Sequence, residues 1–193
     1  MISKNIFIGW VLTLMKNKKI MLLTVTALFT ALVTVATMVI QIPIGRGYLH
    51  FGDSVIYLAA CVLPAPCSLF AASVGAALAD LFTGYAVYAP ATFIIKALNA
   101  LPFILMRIYL KRKGKDDRII SWQICLMLVP ATLATLLGYY IADSIIAGAE
   151  VALVSAITSG WIQPAGSLAV FIVLALALDK AQFKGKFMKR IFG

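Results

Sequence analysis

Charge is scarce in this sequence: Asp, Glu, Lys and Arg make up 12% of its 193 residues, against about 25% in a soluble domain. With 63% of the residues hydrophobic, a water-soluble fold could not hide the apolar surface. Acidic residues are scarcer still, 7 against 17 Lys and Arg, which leaves a formal charge of +10. Spread over a soluble face, that balance would suggest nucleic acid. The basic residues instead stand in three blocks between apolar runs, so no nucleic-acid partner is expected. Histidine occurs once, at His50, and the cysteines Cys61, Cys67 and Cys125 lie in apolar segments without a C-x-x-C pair. This excludes a disulfide framework and a thiolate metal site. A lone histidine with no acidic or Cys partner at ligand spacing is a poor metal site as well. No G-x-x-x-x-G-K-[ST] occurs, and the glycines at 45, 47 and 52 miss the dinucleotide spacing. The chain therefore binds no ATP through a P-loop, no cofactor is expected, and active transport would have to be powered elsewhere.

What is present is a set of long apolar runs. A spanning helix needs about 20 apolar residues, and runs 20–42, 88–109 and 119–146 reach that length, the last with Pro130 expected to kink it. Run 164–178 becomes long enough if its helix begins near Trp161. Run 54–82 is apolar throughout but broken at Pro64-Ala65-Pro66, and its first ten residues rise only about 15 Å. It is either two short crossing helices or a re-entrant hairpin.

Cytoplasmic loops retain Lys and Arg. Lys16, Lys18 and Lys19 precede the first run; Lys111, Arg112, Lys113, Lys115 and Arg118 follow the helix ending near Tyr109; Lys180, Lys184, Lys186, Lys189 and Arg190 form the tail. All three blocks fit inside with six spans, or with four spans and a hairpin. Both termini are then cytoplasmic, and loops 43–53, 83–87 and 147–160 face outward. Residues 1–19 are expected to be an uncleaved interfacial segment, because no small-x-small site follows their apolar stretch. Residues 180–193 form a basic cytoplasmic tail, and 1–193 is one transmembrane domain in a cell membrane.

Ionisable groups inside a bilayer usually face a cavity or a partner. Asp53, Asp80, Lys96, Asn99, Asp143 and Gln163 all fall in the outward half, whereas Arg107, in the inner half, can snorkel to the surface. A structural Asp80–Lys96 ion pair would explain two of them but not the other four. With Tyr85, Tyr88, Tyr139, Tyr140 and Trp161 nearby, the cluster has the makeup of a small-molecule pocket, aromatic with a few placed polar groups. Lys96 and Asn99, three residues apart on one helix face, are nominated as direct contacts. Segment 45–53, with His50, is nominated as the lid. Rows of small residues at Ala27 and Ala31, and at Ala71, Gly75 and Ala79, allow helices to approach closely.

The runs Gly47-Tyr-Leu-His-Phe-Gly-Asp53, Ala79-Asp80-Leu-Phe-Thr-Gly84-Tyr85 and Ala89-Pro90-Ala-Thr92-Phe-Ile-Ile-Lys96 resemble the substrate-binding S components of energy-coupling factor (ECF) vitamin transporters. The likeness is nearest to the riboflavin, hydroxymethylpyrimidine and vitamin B6 branch. It extends over essentially the whole chain and is densest from Tyr48 to Ala100. It implies an all-α integral membrane protein, a six-transmembrane-helix bundle with an outward-facing pocket closed by the first loop. It also tips 54–82 toward two spans. The implied partners are a small vitamin, a transmembrane scaffold (T) subunit and, through it, two ABC-type ATPases. Ala27 and Ala31 match the family's scaffold-facing A-x-x-x-A row. Vitamin B6 or hydroxymethylpyrimidine is the favoured substrate, with riboflavin next. Pro64-Ala65-Pro66-Cys67 departs from the family's small or glycine-rich second turn. The alternative is a stand-alone proton-coupled secondary transporter using Asp80, Asp143 and Lys96 as a relay, for which internal repeats would be the sign; none is found. A membrane enzyme would call for paired inward carboxylates or a His cluster, and the sequence has neither.

Overall fold

A computed structural model describes residues 17–39, 41–44, 47–158 and 160–192. Residues 1–16 of the expected interfacial segment, and Gly45 and Arg46 of the expected lid, lie outside them. Helix α1 (Lys18–Met38) starts at Asn17, whose side chain accepts from the Lys19 and Ile20 N–H groups and so caps the helix. Its buried face carries Thr26, Thr30, Thr34 and Thr37, each hydroxyl donating to the carbonyl four residues back at 2.8–3.0 Å. Leu23, Leu28, Leu32 and Val35 are left exposed. This inversion suits lipid, where a hydroxyl is costly unless bonded and a Leu costs nothing.

Strands β1 (Ile42–Ile44) and β2 (Gly47–Leu49) form a short antiparallel hairpin that leads into α2 (Gly52–Val62). Helix α3 (Ala65–Phe82) follows, so run 54–82 is two helices. The turn between them is made by Leu63 and Pro64, both extended, with Pro66 in the first turn of α3, where its missing N–H is no loss. The Ser68 hydroxyl donates to the Ala59 and Leu63 carbonyls at 3.0 and 3.1 Å. Pro-Ala-Pro thus builds a tight inner turn in place of glycine. Eleven residues of α2 rise only about 16 Å, roughly half of the ~30 Å hydrocarbon core.

Helix α4 (Ala89–Arg112) crosses fully and contains Pro102. Helices α5 (Trp122–Leu126) and α6 (Leu128–Ala147) share one span, broken at Met127, three residues before Pro130 and on the side where a proline ring disrupts the helix. Segment 147–160, expected as a loop, is instead largely a helix, α7 (Ala149–Thr158). Gly148, at φ 96°, supplies the left-handed corner before it. Helices α8 (Ile162–Lys180) and α9 (Phe183–Phe192) complete the described chain. Among the described residues five segments, α1, α3, α4, α5–α6 and α7–α8, are long and apolar enough to cross a membrane, and α2 is a shorter apolar helix.

Helix α3 packs against α1 on one side and α4 on the other. Gly75 permits the α1 contact, since a Cβ there would stand 2.8 Å from the Thr30 carbonyl, and its own carbonyl accepts from Thr34 at 2.9 Å. The row Ala71, Gly75 and Ala79 is buried inside the bundle, whereas Ala27 and Ala31 are exposed. Tyr57, Phe103 and Phe171 tie α2, α4 and α8 together, with Tyr57 stacked on Phe103 at 4.5 Å and Phe171 edge-on to both at 5.7 Å.

At the basic end Arg107 does not snorkel. It is buried, donates to the Leu63 carbonyl at 2.7 Å and pairs with Asp116 at 3.3 Å. Lys184 joins Asp116 at 2.5 Å, and Asp179 accepts from the Ile119 and Ile120 N–H groups. The short loop after α4 gives Arg107 an acidic partner nine residues away, so it has no need of headgroup water.

Candidate binding site

Below the hairpin, α4, α6, α7 and α8 line a partly open cavity of about 360 Å³, at the small end of the ~300–1,000 Å³ typical of ligand pockets. Helix α6 supplies Thr135, Leu136, Tyr139, Tyr140 and Asp143, a set at helical spacing on one face. Close approach of α4 and α6 comes from Gly138, where a Cβ would meet the Ile95 side chain at 2.6 Å. Asp80 and Tyr85 come from the corner between α3 and α4, Tyr88 and Thr92 from the start of α4, and Ala152, Ser155 and Ala156 from one face of α7. Leu49 and His50 of the lid close the space with Gln163 of α8. The Tyr88 hydroxyl donates to Asp143 at 2.7 Å, and the Thr92 and Tyr139 hydroxyls share a bond of 3.2 Å.

The lid is stapled to α8. The His50 N–H donates to Gln163 Oε1 at 2.8 Å, and Gln163 Nε2 donates back to the His50 carbonyl at 3.1 Å. The Ser167 hydroxyl reaches the same carbonyl at 3.2 Å. His50 Nδ1 accepts from the Gly52 N–H at 3.1 Å, which requires that nitrogen to be unprotonated. Burial is the main reason the imidazole pKa is lowered to about 4; Asp53 opposes the shift and Lys96 adds to it.

Of the ten side chains expected to bind substrate, His50, Asp80, Tyr85, Tyr88, Tyr139, Asp143 and Gln163 border the cavity. Asp53, Lys96 and Asn99 are fully buried and stand behind its wall. The ion partner of Lys96 is Asp53, at 2.7 Å. The alternative Asp80–Lys96 pair is thereby corrected: the first turn of α2 places a carboxylate directly opposite α4, and Asp53 also gains from the positive end of the α2 dipole. Lys96 lies behind Tyr139, its ammonium 5.4 Å from the ring centroid. Asn99 donates to the Thr135 hydroxyl at 2.6 Å and to Tyr57 at 3.3 Å. Gln163 Nε2 also approaches Asp53 Oδ2 at 3.4 Å, so one hydrogen-bonded chain runs from the lid to the buried pair. Trp161 is exposed. Thr92, Thr135 and the α7 face escaped sequence reasoning. Thr92 could have been found as the residue one turn before Lys96, but α7 sits in a stretch with no polar pattern. Among the described residues no three His, Cys, Asp or Glu side chains gather as a metal site.

The family model for the ECF-type riboflavin transporter S component matches residues 17–180. A curated protein from Pyrococcus woesei, described as an uncharacterized protein in gap 3'region, is 47% identical over 71 residues. That match takes in 36% of this chain and 47% of the relative, so the chain spans about half the relative's length. No solved structure matches the chain.

Proposed function

Because the chain belongs to the family of ECF-type riboflavin transporter S components, we propose that it is the high-affinity membrane binding subunit for a small planar heteroaromatic vitamin. A scaffold subunit and two ATPases would drive uptake. The observation that carries this reading is the cavity: tyrosines on its wall, a few polar groups, and a lid segment held on α8 by a reciprocal pair of hydrogen bonds. Nanomolar affinity needs about −12 kcal/mol, which calls for a concave site with a few placed polar groups and not open surface contacts.

A cavity of roughly 150 Å³ holds a single six-membered ring, and this one is about 360 Å³. The extra room suits a fused ring system or a ring with several substituents, so riboflavin takes precedence over vitamin B6 and hydroxymethylpyrimidine. Lys96, Asn99 and Asp53 then act from behind the wall, holding Tyr139, Thr135 and Gln163 in place. In this reading the exposed Ala27 and Ala31 meet the scaffold subunit.

The test is binding and uptake with purified protein. The chain alone, in detergent or nanodiscs, should bind one of these vitamins without ATP. In liposomes it should accumulate none until the partner subunits and ATP are added. Accumulation against a gradient by the chain alone would refute the proposal and favour a proton-coupled secondary transporter.

A further inference from the structure

Two carboxylates, Asp80 and Asp143, border the cavity, and among the described residues no Lys or Arg does. Lys96 is buried behind the wall and already paired with Asp53 at 2.7 Å. His50, which also borders the space, uses Nδ1 as an acceptor for the Gly52 N–H and is held neutral by burial. The described lining thus carries two acidic side chains and no Lys or Arg, with hydroxyls from Tyr88, Thr92 and Tyr139 around it.

Asp80 is 94% buried, being 6% exposed, and its Oδ2 accepts no hydrogen bond from any described residue. A buried carboxylate oxygen without a donor costs more than an ordinary unmade hydrogen bond, because the group is charged. Asp143, by contrast, already accepts from Tyr88 at 2.7 Å. The Thr92 hydroxyl also bears on the Asp80 carboxyl, so what the cavity wall holds in reserve is the unused acceptor capacity of Oδ2.

We propose that the cavity takes a ligand bearing an N–H edge, neutral or cationic, set against Asp80, and that it rejects the phosphate ester of the same molecule. This rests on the binding-subunit reading above and adds to it a rule for which chemical form is bound. A phosphate monoester carries about −1.5 to −2 charges at neutral pH. Placed near two acidic side chains, with no Lys or Arg of the described residues lining the site, it meets repulsion of the kind that excludes wrong partners.

The experiment is titration calorimetry on the purified chain in nanodiscs. The probes are riboflavin, pyridoxamine and 4-amino-5-hydroxymethyl-2-methylpyrimidine, each paired with its phosphate monoester. At least one parent compound should bind, and its ester should bind at least about a hundredfold more weakly. Asp80→Asn, which keeps the shape of the side chain, should weaken the parent by about 10- to 100-fold, the worth of one charge-assisted hydrogen bond. It should also narrow the gap between parent and ester. Equal binding of parent and ester by the wild-type chain would overturn the inference without needing any variant, and leave the binding-subunit reading standing. Unchanged affinity in a folded Asp80→Asn chain would do the same. If no probe binds the wild-type chain, both readings fall together.

Discussion

Lys96 and Asp53 form an ion pair at 2.7 Å with side-chain exposures of 2% and 0%, and replacing either partner alone should be severe. Lys96→Met fills similar volume but leaves the Asp53 carboxylate with only the Gln163 amide, at 3.4 Å. Breaking a buried pair from one side typically costs about 3–5 kcal/mol. At about 2–4 °C per kcal/mol for a chain of this size, the melting temperature of the ligand-free protein in detergent should drop by about 6–20 °C. Asp53→Asn should cost a similar amount by stranding the ammonium beside Tyr139. The double variant removes both charges and should recover most of the loss, because replacing a whole buried pair by uncharged groups is often neutral. The assay is intrinsic-fluorescence melting of the wild type, both single variants and the double, read as a double-mutant cycle. Additivity within about 0.5 kcal/mol would show that the two groups do not interact. A large loss from Asp80→Asn with little from Asp53→Asn would restore Asp80 as the partner of Lys96 and refute the packing of α2 against α4.

Ala27→Trp and Ala31→Trp place a bulky ring on an exposed strip of α1; vitamin binding should stay within about twofold while co-purification with the scaffold subunit is lost. Loss of binding together with assembly would mean that the strip packs within the bundle. The His50 imidazole is lowered from 6.5 to about 4 in the docked lid, so an open lid takes up a proton more readily than a closed one. Its contribution to closure is full above pH 6.5 and is lost as pH falls toward 4. Vitamin release should therefore be faster by about 20-fold at pH 5 than at pH 7, measured by stopped-flow fluorescence, and His50→Gln should flatten that dependence. A His50→Gln profile as steep as that of the wild type would assign the pH response to another group.

Lipid imposes a single strong rule on every residue, and the consequences of that rule were legible in the sequence. Apolar runs of about 20 residues had to become helices because no other open structure satisfies its backbone in hydrocarbon. The basic blocks marked one end, and the depth of Asp80, Asp143 and Gln163 located the site in the opposite half. The motifs from Tyr48 to Ala100 pointed to the family that the match over residues 17–180 established. Which side chains meet depended on the rotation and tilt of one helix against another, and spacing along a single helix carries no such information. Lys96 had a deep carboxylate 16 residues before it and another 43 before it. The bundle joined it to the farther one because the first turn of α2 faces α4. Asn99 turned inward to Thr135 for the same reason. Helix α7 became a wall of the cavity although its sequence carries few polar residues, because Gly148 turns the chain back over α6. Arg107 found Asp116 across a loop instead of water. Composition and periodicity decide which segments enter the membrane and how deep each polar group lies. The pairing of those groups is decided by small residues such as Gly75 and Gly138, whose missing side chains let particular helices approach until particular atoms touch.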